Sequence, residues 1–325
     1  MAQLTLVQAI NQALEQSMRK DPSVIVLGED VGRDGGVFRV TDGLHAKFPG
    51  RVIDTPLAES GIVGASIGMA AMGLKPVAEI QFEGFMYPAL DQIISHAAKL
   101  RNRSRGRFHL PMVIRSPWGG GVKALEHHSE SPEAFYAHMP GIKVVIPSGP
   151  YDAKGLLVSA IKDPDPVIFF EPKKIYRSIK EEVPDKLYEI PIGKGKIALE
   201  GTDVSIITYG SMVHVAKKAA EQAEEEGISI EVIDLRSISP LDHEIIAQTV
   251  DKTGRAVIVH EAPQSCGVGA EVAAIILEHS TFSLKAPVAR VTGYDIPMPL
   301  PRLEDYYLPN VDKIMIAVRK AMEFE

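Results

Sequence analysis

Cysteine is all but absent from this chain. Cys266 stands alone among 325 residues, which excludes an internal disulfide. Surplus positive charge is missing as well: 35 Lys and Arg face 42 Asp and Glu, for a formal net charge of -7. Nucleic-acid binders concentrate cations on one face, so nucleic acid is not an expected partner. Long apolar runs are lacking too. The longest uncharged stretch, residues 60–74, falls short of the roughly 20 apolar residues a bilayer span requires and is rich in glycine. The first residues, MAQLTLVQAINQALEQ, contain no basic segment followed by an apolar run. Together these absences predict a cytoplasmic protein with no membrane segment.

What is present is ordinary globular material, 45% hydrophobic and 24% charged, long enough for two domains. Strand-like apolar runs alternate with helical periodicity, the pattern of parallel sheets covered by helices, so the expected fold class is α/β. In the first half, residues 24–27, 77–82, 112–114, 143–146 and 167–170 read as buried strands, being short and β-branched or aromatic. The spacing of Leu90, Ile93, Ile94, Ala97 and Ala98 predicts a helix over 88–100, followed by Arg101 and Arg103 where cations suit a helix C-terminus. Between Tyr176 and Gly201 the periodicity lapses into charged, proline-containing sequence. We therefore expect a first domain over 1–185, a linker over 186–200 and a smaller α/β domain over 201–325. Strands at 204–209, 228–235, 256–260 and 288–291 would alternate there with helices beginning at Val213, Asp242 and Gly269.

The segment DTPLAESGIVGASIGMAAMG carries the most information. Pro56 suits a first helical turn, Thr55 is a candidate cap, and Glu59 then falls at the helix start. Gly61, Gly64, Ala65, Gly68, Ala70 and Ala71 leave little side-chain bulk, so another backbone could approach this helix closely. Taken by itself, Glu59 reads first as a first-turn acid favoured by the helix dipole. Phe82 and Phe85 follow a strand end, where open α/β sheets bind ligands, although both also suit a core. His127 and His128 precede an expected helix start at Ser131 and Pro132, and an imidazole there could stabilise an oxyanion or pass a proton. GVGAEV, from Gly267, resembles part of a dinucleotide fingerprint but lacks the third glycine, and reads as a tight strand–helix turn. Gly119, Gly120 and Gly121 would free the histidine loop to move or let it lie close to a cofactor.

A series of motifs running in order through nearly the whole chain, GEDVGRDGGVFRVTDGL, DTPLAESGIVG, EIQFEGFMYPALDQI, the long IRSPWGGG…EHHSESPEAF…GPYDAKGLL stretch, DPVIFFEPKKIYR and EVIDLRSISPLD, resembles the beta subunits of 2-oxoacid dehydrogenase complexes. These are similar to the pyrimidine-binding and C-terminal domains of transketolase. The resemblance implies thiamine-diphosphate-dependent oxidative decarboxylation of a 2-oxoacid, with acyl transfer to the lipoyl group of a transacylase core. It implies that Glu59 hydrogen-bonds a ring nitrogen of the aminopyrimidine and favours the imino tautomer that removes the thiazolium proton. Phe85 would stack on that ring with Gln81 nearby, and His128, in the H-S-x-S pattern, would be catalytic.

The G-D-G motif and downstream asparagine that hold Mg²⁺ and diphosphate in complete relatives are missing. The resemblance therefore assigns Mg²⁺ to an alpha subunit, in a heterotetramer of two alphas and two betas. SAIKDPDP matches a potassium loop at Ala160, Ile161, Asp163 and Asp165, with Asp165 where many relatives have Asn. The histidine segment, HEAP at His260 to Pro263 and VTGYD at Val291 to Asp295 favour a branched-chain 2-oxoacid, with pyruvate as the alternative. A non-catalytic assembly subunit is the reading from another class, and intact Glu59, Phe85 and His128 argue against it.

Overall fold

A computed structural model describes residues 2–324, and the chain divides into two compact α/β units. The first unit comprises the described residues up to Trp118 together with Phe135–Ile192. Its parallel sheet runs in the order Lys143–Val145, Val167–Pro172, Val113–Trp118, Lys75–Glu79, Val24–Gly28 and Val52–Asp54. Strands in the middle of such a sheet are covered on both faces, and Val113–Trp118 and Val167–Pro172 are buried at every position. The helix Leu6–Lys20 opens with a capping box between Thr5 and Gln8 and closes with Arg19 and Lys20 in its last turn. Its buried stripe, including Leu6, Ile10, Ala13 and Leu14, packs on the helix Pro150–Lys162.

The helix expected over 88–100 is not continuous. A 3₁₀ segment, Glu83–Ala89, a π-helical turn, Gln92–Ala97, and a short α-helix, Leu100–Arg103, occupy the region instead. Pro88 lies inside the 3₁₀ segment, and it can supply no backbone donor to an α-helical ladder. Ile93, Ala97 and Ala98 are buried as the periodicity predicts, so the apolar face survives the change of helix type.

Three neighbouring strands of this unit are joined by a buried charge network. Arg115 donates to Glu79 at 2.7 Å and to both oxygens of Glu171 at 2.7 and 3.1 Å, and the Tyr176 hydroxyl donates to Glu171 at 2.7 Å. All four residues are buried. One guanidinium serves two carboxylates, so burial and the charge of Glu171, against the pull of Arg115, raise the pKa of Glu79. Burial and Glu171 likewise push the Tyr176 phenol well above its usual range.

The second unit comprises Gly119–Ala134 and the described residues from Gly193 onward. Its sheet runs Ala289–Gly293, Ala256–Pro263, Val204–Thr208, Ile230–Asp234 and Lys196–Leu199, parallel except for the last strand. Helices Met212–Glu225, His243–Thr253, Val268–Ser280 and Val311–Met322 cover it around Val204, Ile206, Val232, Val257, Ile314 and Val318. The stretch of lapsed periodicity between Tyr176 and Gly201 is not structureless. Glu181–Val183 pairs antiparallel with Ala2–Leu4, and Lys196–Leu199 forms the edge of the second sheet. Strands this short, with half-exposed edge residues, leave too few alternations to register as a pattern. The segment Gly119–Ala134, expected inside the first domain, belongs to the second unit. Among the described residues no helix is long and apolar enough to cross a membrane.

His260 lies wholly inside the second unit. Its ring stacks on Tyr209 at 6.2 Å, and its Nε2 accepts from the backbone N–H of Gly269 at 3.2 Å. GVGAEV is therefore the tight turn expected, with Gly267 as N-cap of the helix Val268–Ser280.

The charge network and His260 should both leave a signature in unfolding experiments. Removing the cation, Arg115→Met, leaves two buried carboxylates facing each other and should cost about 3–5 kcal/mol in urea unfolding. Glu79→Gln should cost less than about 2 kcal/mol, and Glu171→Gln an intermediate amount, because Glu79 already leans toward its neutral form; equal losses in all three would contradict the network's asymmetry. For His260, burial drops the imidazole pKa from 6.5 to about 4, so the unfolded chain takes up a proton that the folded chain refuses. The neutral ring's contribution is complete above pH 6.5 and is lost as pH falls toward 4, up to about 3 kcal/mol in all. The His260→Asn variant should show a shallower loss of stability across that window, and parallel pH profiles would exclude the titration of His260.

Candidate active site

The candidate residues of the first unit gather where its parallel strands end. Val24–Gly28 is followed by Glu29 and Asp30, Lys75–Glu79 by Gln81 and Phe82, and Val52–Asp54 by the segment that leads into the helix Glu59–Ala71. This is the crevice side of an open α/β sheet, where side chains can face a ligand without disrupting the core. The Gln81 amide donates to Asp30 at 3.2 Å. The Asp54 carboxylate accepts from the backbone N–H groups of Gly32 and Arg33 at 2.5 and 3.2 Å and pins the loop that follows Asp30.

Glu59 occupies the first turn of its helix, as expected, but the cap differs. Ala58 is the N-cap, no side chain caps the helix, and Thr55 and Pro56 lie before it. Thr55 instead donates its backbone N–H to the Gly28 carbonyl at 2.9 Å, fixing the approach to the helix beside the first strand. Glu29 feels Glu59 directly. Its own burial, then the charge of Asp30, then that of Glu59, raise the pKa of the Glu29 carboxyl. Glu29 and Asp30 were not singled out from the sequence; the signal was available in GED, two acids directly after a strand.

The aromatic turn is held by an ion pair. Phe85 closes the turn with its N–H on the Phe82 carbonyl at 3.0 Å, and the two rings meet edge to face at 5.7 Å. Phe82 continues the stack to Phe38 at 5.5 Å, and Phe38 to Tyr176 at 5.1 Å, so Phe82 is part of the packing and half-buried Phe85 meets it edge to face. Between them in sequence, Glu83 forms a pair with Lys173, Nζ lying 2.9 Å from each carboxylate oxygen, both side chains fully buried. Lys173 also sits 5.7 Å above the Phe82 ring.

His127 and His128 lie in the second unit, in the 3₁₀ turn Glu126–His128, with ring centroids 4.3 Å apart. His127 is 41% exposed and its Nδ1 approaches Glu126 at 3.6 Å, whereas the Nδ1 of His128 is shielded from solvent. Glu59, Gln81 and Phe85 thus share one unit, and His128 belongs to the other.

Of the potassium candidates, Ala160 and Ile161 fall in the buried last turn of the helix Pro150–Lys162. Asp163 is ion-paired with Lys143, whose Nζ lies 2.7 and 2.6 Å from its oxygens, and Asp165 with Arg101 at 2.6 and 2.7 Å. Both carboxylates already have cationic partners supplied by the chain.

Comparison with known proteins bears on the fold and the family. Residues 2–178 match the transketolase pyrimidine-binding domain, and residues 193–314 match the transketolase C-terminal domain. The pyruvate dehydrogenase E1 component subunit beta of Acholeplasma laidlawii is 55% identical over 321 residues, covering 98% of each chain. The protein of the same name from Bacillus subtilis is 52% identical over 325 residues, covering 100% of each. Among solved structures, a split-gene transketolase superposes with a TM-score of 0.82 at 24% identity over 99% of both chains. Transketolase from Pichia stipitis gives 0.72 at 15% identity, over 99% of this chain and 46% of that one. The two structural likenesses speak for the fold, and the sequence relatives for the family: the chain belongs to the transketolase-like beta subunits of 2-oxoacid dehydrogenases, an oxidoreductase family that depends on thiamine diphosphate.

Proposed function

We propose that this chain contributes the pyrimidine-side half of a thiamine-diphosphate site, that an alpha subunit contributes the Mg²⁺ and diphosphate half, and that the assembled enzyme oxidatively decarboxylates pyruvate. The observation that carries the first part is the grouping of Glu59, Glu29, Asp30 and Gln81 at the strand ends, with Phe85 in the next turn. The donor set suits an aminopyrimidine. A carboxyl can share a proton with a weakly basic ring nitrogen, an amide can satisfy an exocyclic amine, and an aromatic ring can cover a flat heterocycle.

When bound, thiamine diphosphate supplies the carbanion stabilisation that decarboxylation needs. Glu59 holds or yields the proton at the pyrimidine nitrogen. The carboxylate of Glu29, whose pKa is raised by burial, Asp30 and Glu59, and that of Asp30 lie beside it. Phe85 and Gln81 orient the ring, and the buried Glu83–Lys173 pair keeps their turn in place. His128 acts on the substrate side, as a donor to a developing oxyanion or as a proton carrier in acyl transfer to a lipoyl group on a transacylase core. A potassium ion at the 160–165 turn would rest on the carbonyls of Ala160 and Ile161, since Asp163 and Asp165 are neutralised by Lys143 and Arg101. The surroundings remain those of a cytoplasmic multienzyme complex.

Pyruvate replaces the branched-chain substrate favoured by the sequence motifs. The relatives from Acholeplasma laidlawii and Bacillus subtilis, matched end to end, are both pyruvate dehydrogenase subunits by name. One motif behind the branched-chain expectation also loses its force, because His260 of HEAP is sealed inside the second unit. A methylene or two in an apolar pocket is worth only ~1–3 kcal/mol, so motif likeness is a weak guide to chain length.

Reconstitution tests both parts of the proposal. The purified chain alone should release no CO₂ from either 2-oxoacid, and addition of the cognate alpha subunit with Mg²⁺ and thiamine diphosphate should restore activity. In that assembly kcat/KM for pyruvate should exceed that for 3-methyl-2-oxobutanoate by at least ~10-fold. Decarboxylation by the lone chain would overturn the shared site, and the reverse ranking would return the substrate to the branched-chain class.

A further inference from the structure

The three glycines that open the histidine loop are not spacers. Within the second unit the Gly120 N–H donates to Glu261 Oε2 at 2.7 Å, and the Gly121 N–H donates to Glu304 Oε1. Glu261 is held in turn by the Ser211 hydroxyl, which donates to its other oxygen at 2.7 Å. Both carboxylates are almost wholly buried, at 2% and 1% exposure. A Cβ on Gly119, whose φ is +81°, would fall 2.8 Å from the Glu261 carboxylate, and one on Gly120 would meet Met298 at 2.7 Å and Glu304 at 3.2 Å. Glycine is needed because the carboxylates occupy the space a side chain would fill.

The far end of the same loop is fastened similarly. Gly119 donates its N–H to the Glu130 carbonyl at 3.1 Å, closing the loop on itself, and the buried Tyr209 hydroxyl donates to Glu133 at 2.6 Å. Between these tethers lie His127 and His128. Burying a carboxylate is costly unless charge-assisted donors compensate, and backbone N–H groups are suitable donors because their positions are fixed by the chain. Glu304 is not fully compensated: its Oε2 has no hydrogen-bond partner. A fold that needed only stability would place an apolar side chain there.

We propose that Glu261 and Glu304 are positioning residues for the histidine loop, gripping the amides of Gly120 and Gly121 so that His128 is presented in one geometry. The C-terminal unit, which on the proposed function carries no pyrimidine contact of its own, thereby acts in catalysis through the loop it holds. The proposal rests on the reading of His128 as catalytic, and the test separates the two.

Glu261→Gln keeps the shape but has a single acceptor oxygen for two donors, and Glu304→Gln removes charge from the second grip. In the assembled enzyme, amide hydrogen exchange over residues 119–131 should accelerate in either variant, and decarboxylation should fall by about 10-fold or more, as displaced catalytic groups do. Affinity for thiamine diphosphate should stay unchanged. In a His128→Ala background the same substitutions should cause no further loss, because residues acting through one group are not additive. Glu261→Asp or Ser211→Ala, milder changes, give the same reading if Glu261→Gln fails to assemble. Unchanged loop exchange would overturn the grip, and additive losses with His128→Ala would overturn its action through that histidine. Full activity in His128→Ala alone would remove His128 from catalysis while leaving the grip to stand or fall on the exchange data.

Discussion

Arg115 is the hub of the first unit. It lies on a central strand between two others, and its guanidinium reaches a carboxylate on each, Glu79 and Glu171. A planar guanidinium fixes directions as well as distances, so Arg115 holds the two flanking strands near their carboxyl ends, at Glu79 and Glu171. The segments leaving those ends inherit the order. Gln81 and the Phe82–Phe85 turn begin two residues beyond Glu79, and Lys173 comes two residues beyond Glu171 and returns to Glu83 within that turn. The two buried ionic systems are successive tiers: Arg115 aligns the strands, and Lys173 fastens the turn beyond one of them to the end of another. Neither is needed merely to hold the sheet together, since apolar burial along Val113–Trp118 and Val167–Pro172 would do that.

Small residues serve a separate purpose in the helix that starts at Glu59. Gly61, Ala65 and Gly68 are exposed or half-exposed, and a side chain at Gly68 would meet nothing within 4 Å in this chain. The acid at the helix start and the smooth surface behind it occur together, as suits a subunit whose proposed site is finished by another polypeptide. The histidine belongs to the second unit, whose buried carboxylates, rather than apolar packing alone, hold its loop.

Much of this was legible in the sequence, for identifiable reasons. Buried parallel strands are continuous apolar runs, so 24–27, 167–170 and 204–209 could be located within a residue or two of Val24–Gly28, Val167–Pro172 and Val204–Thr208. Glu59 does start a helix, but not for the reason read from the sequence: Thr55 and Pro56, expected as cap and first turn, lie before the helix and Ala58 is its N-cap. The broken helix around Pro88 was not legible, because 3₁₀ and π turns bury a face much as an α-helix does and leave the same apolar spacing. Edge strands of three or four residues carried no pattern. The roles of Glu83, Glu261 and Glu304 were hidden for a deeper reason: a buried acid is recognisable only by its partners, and Lys173, Gly120 and Gly121 lie far from them along the chain. Three glycines before a histidine loop suggested freedom to move or a close approach to a cofactor, whereas their local chemistry is confinement.

The central claim is that a carboxyl on this chain activates a cofactor whose diphosphate is held elsewhere. Loss of the proton from the thiazolium carbon of bound thiamine diphosphate, tracked as hydrogen–deuterium exchange in the assembled enzyme, measures that activation before any substrate chemistry. With Glu59→Gln the side chain keeps its size and a hydrogen-bonding group but loses the shareable proton, so exchange should slow by ~10²–10⁴-fold while assembly persists. Exchange at the unaltered rate in a fully assembled Glu59→Gln enzyme would contradict the account.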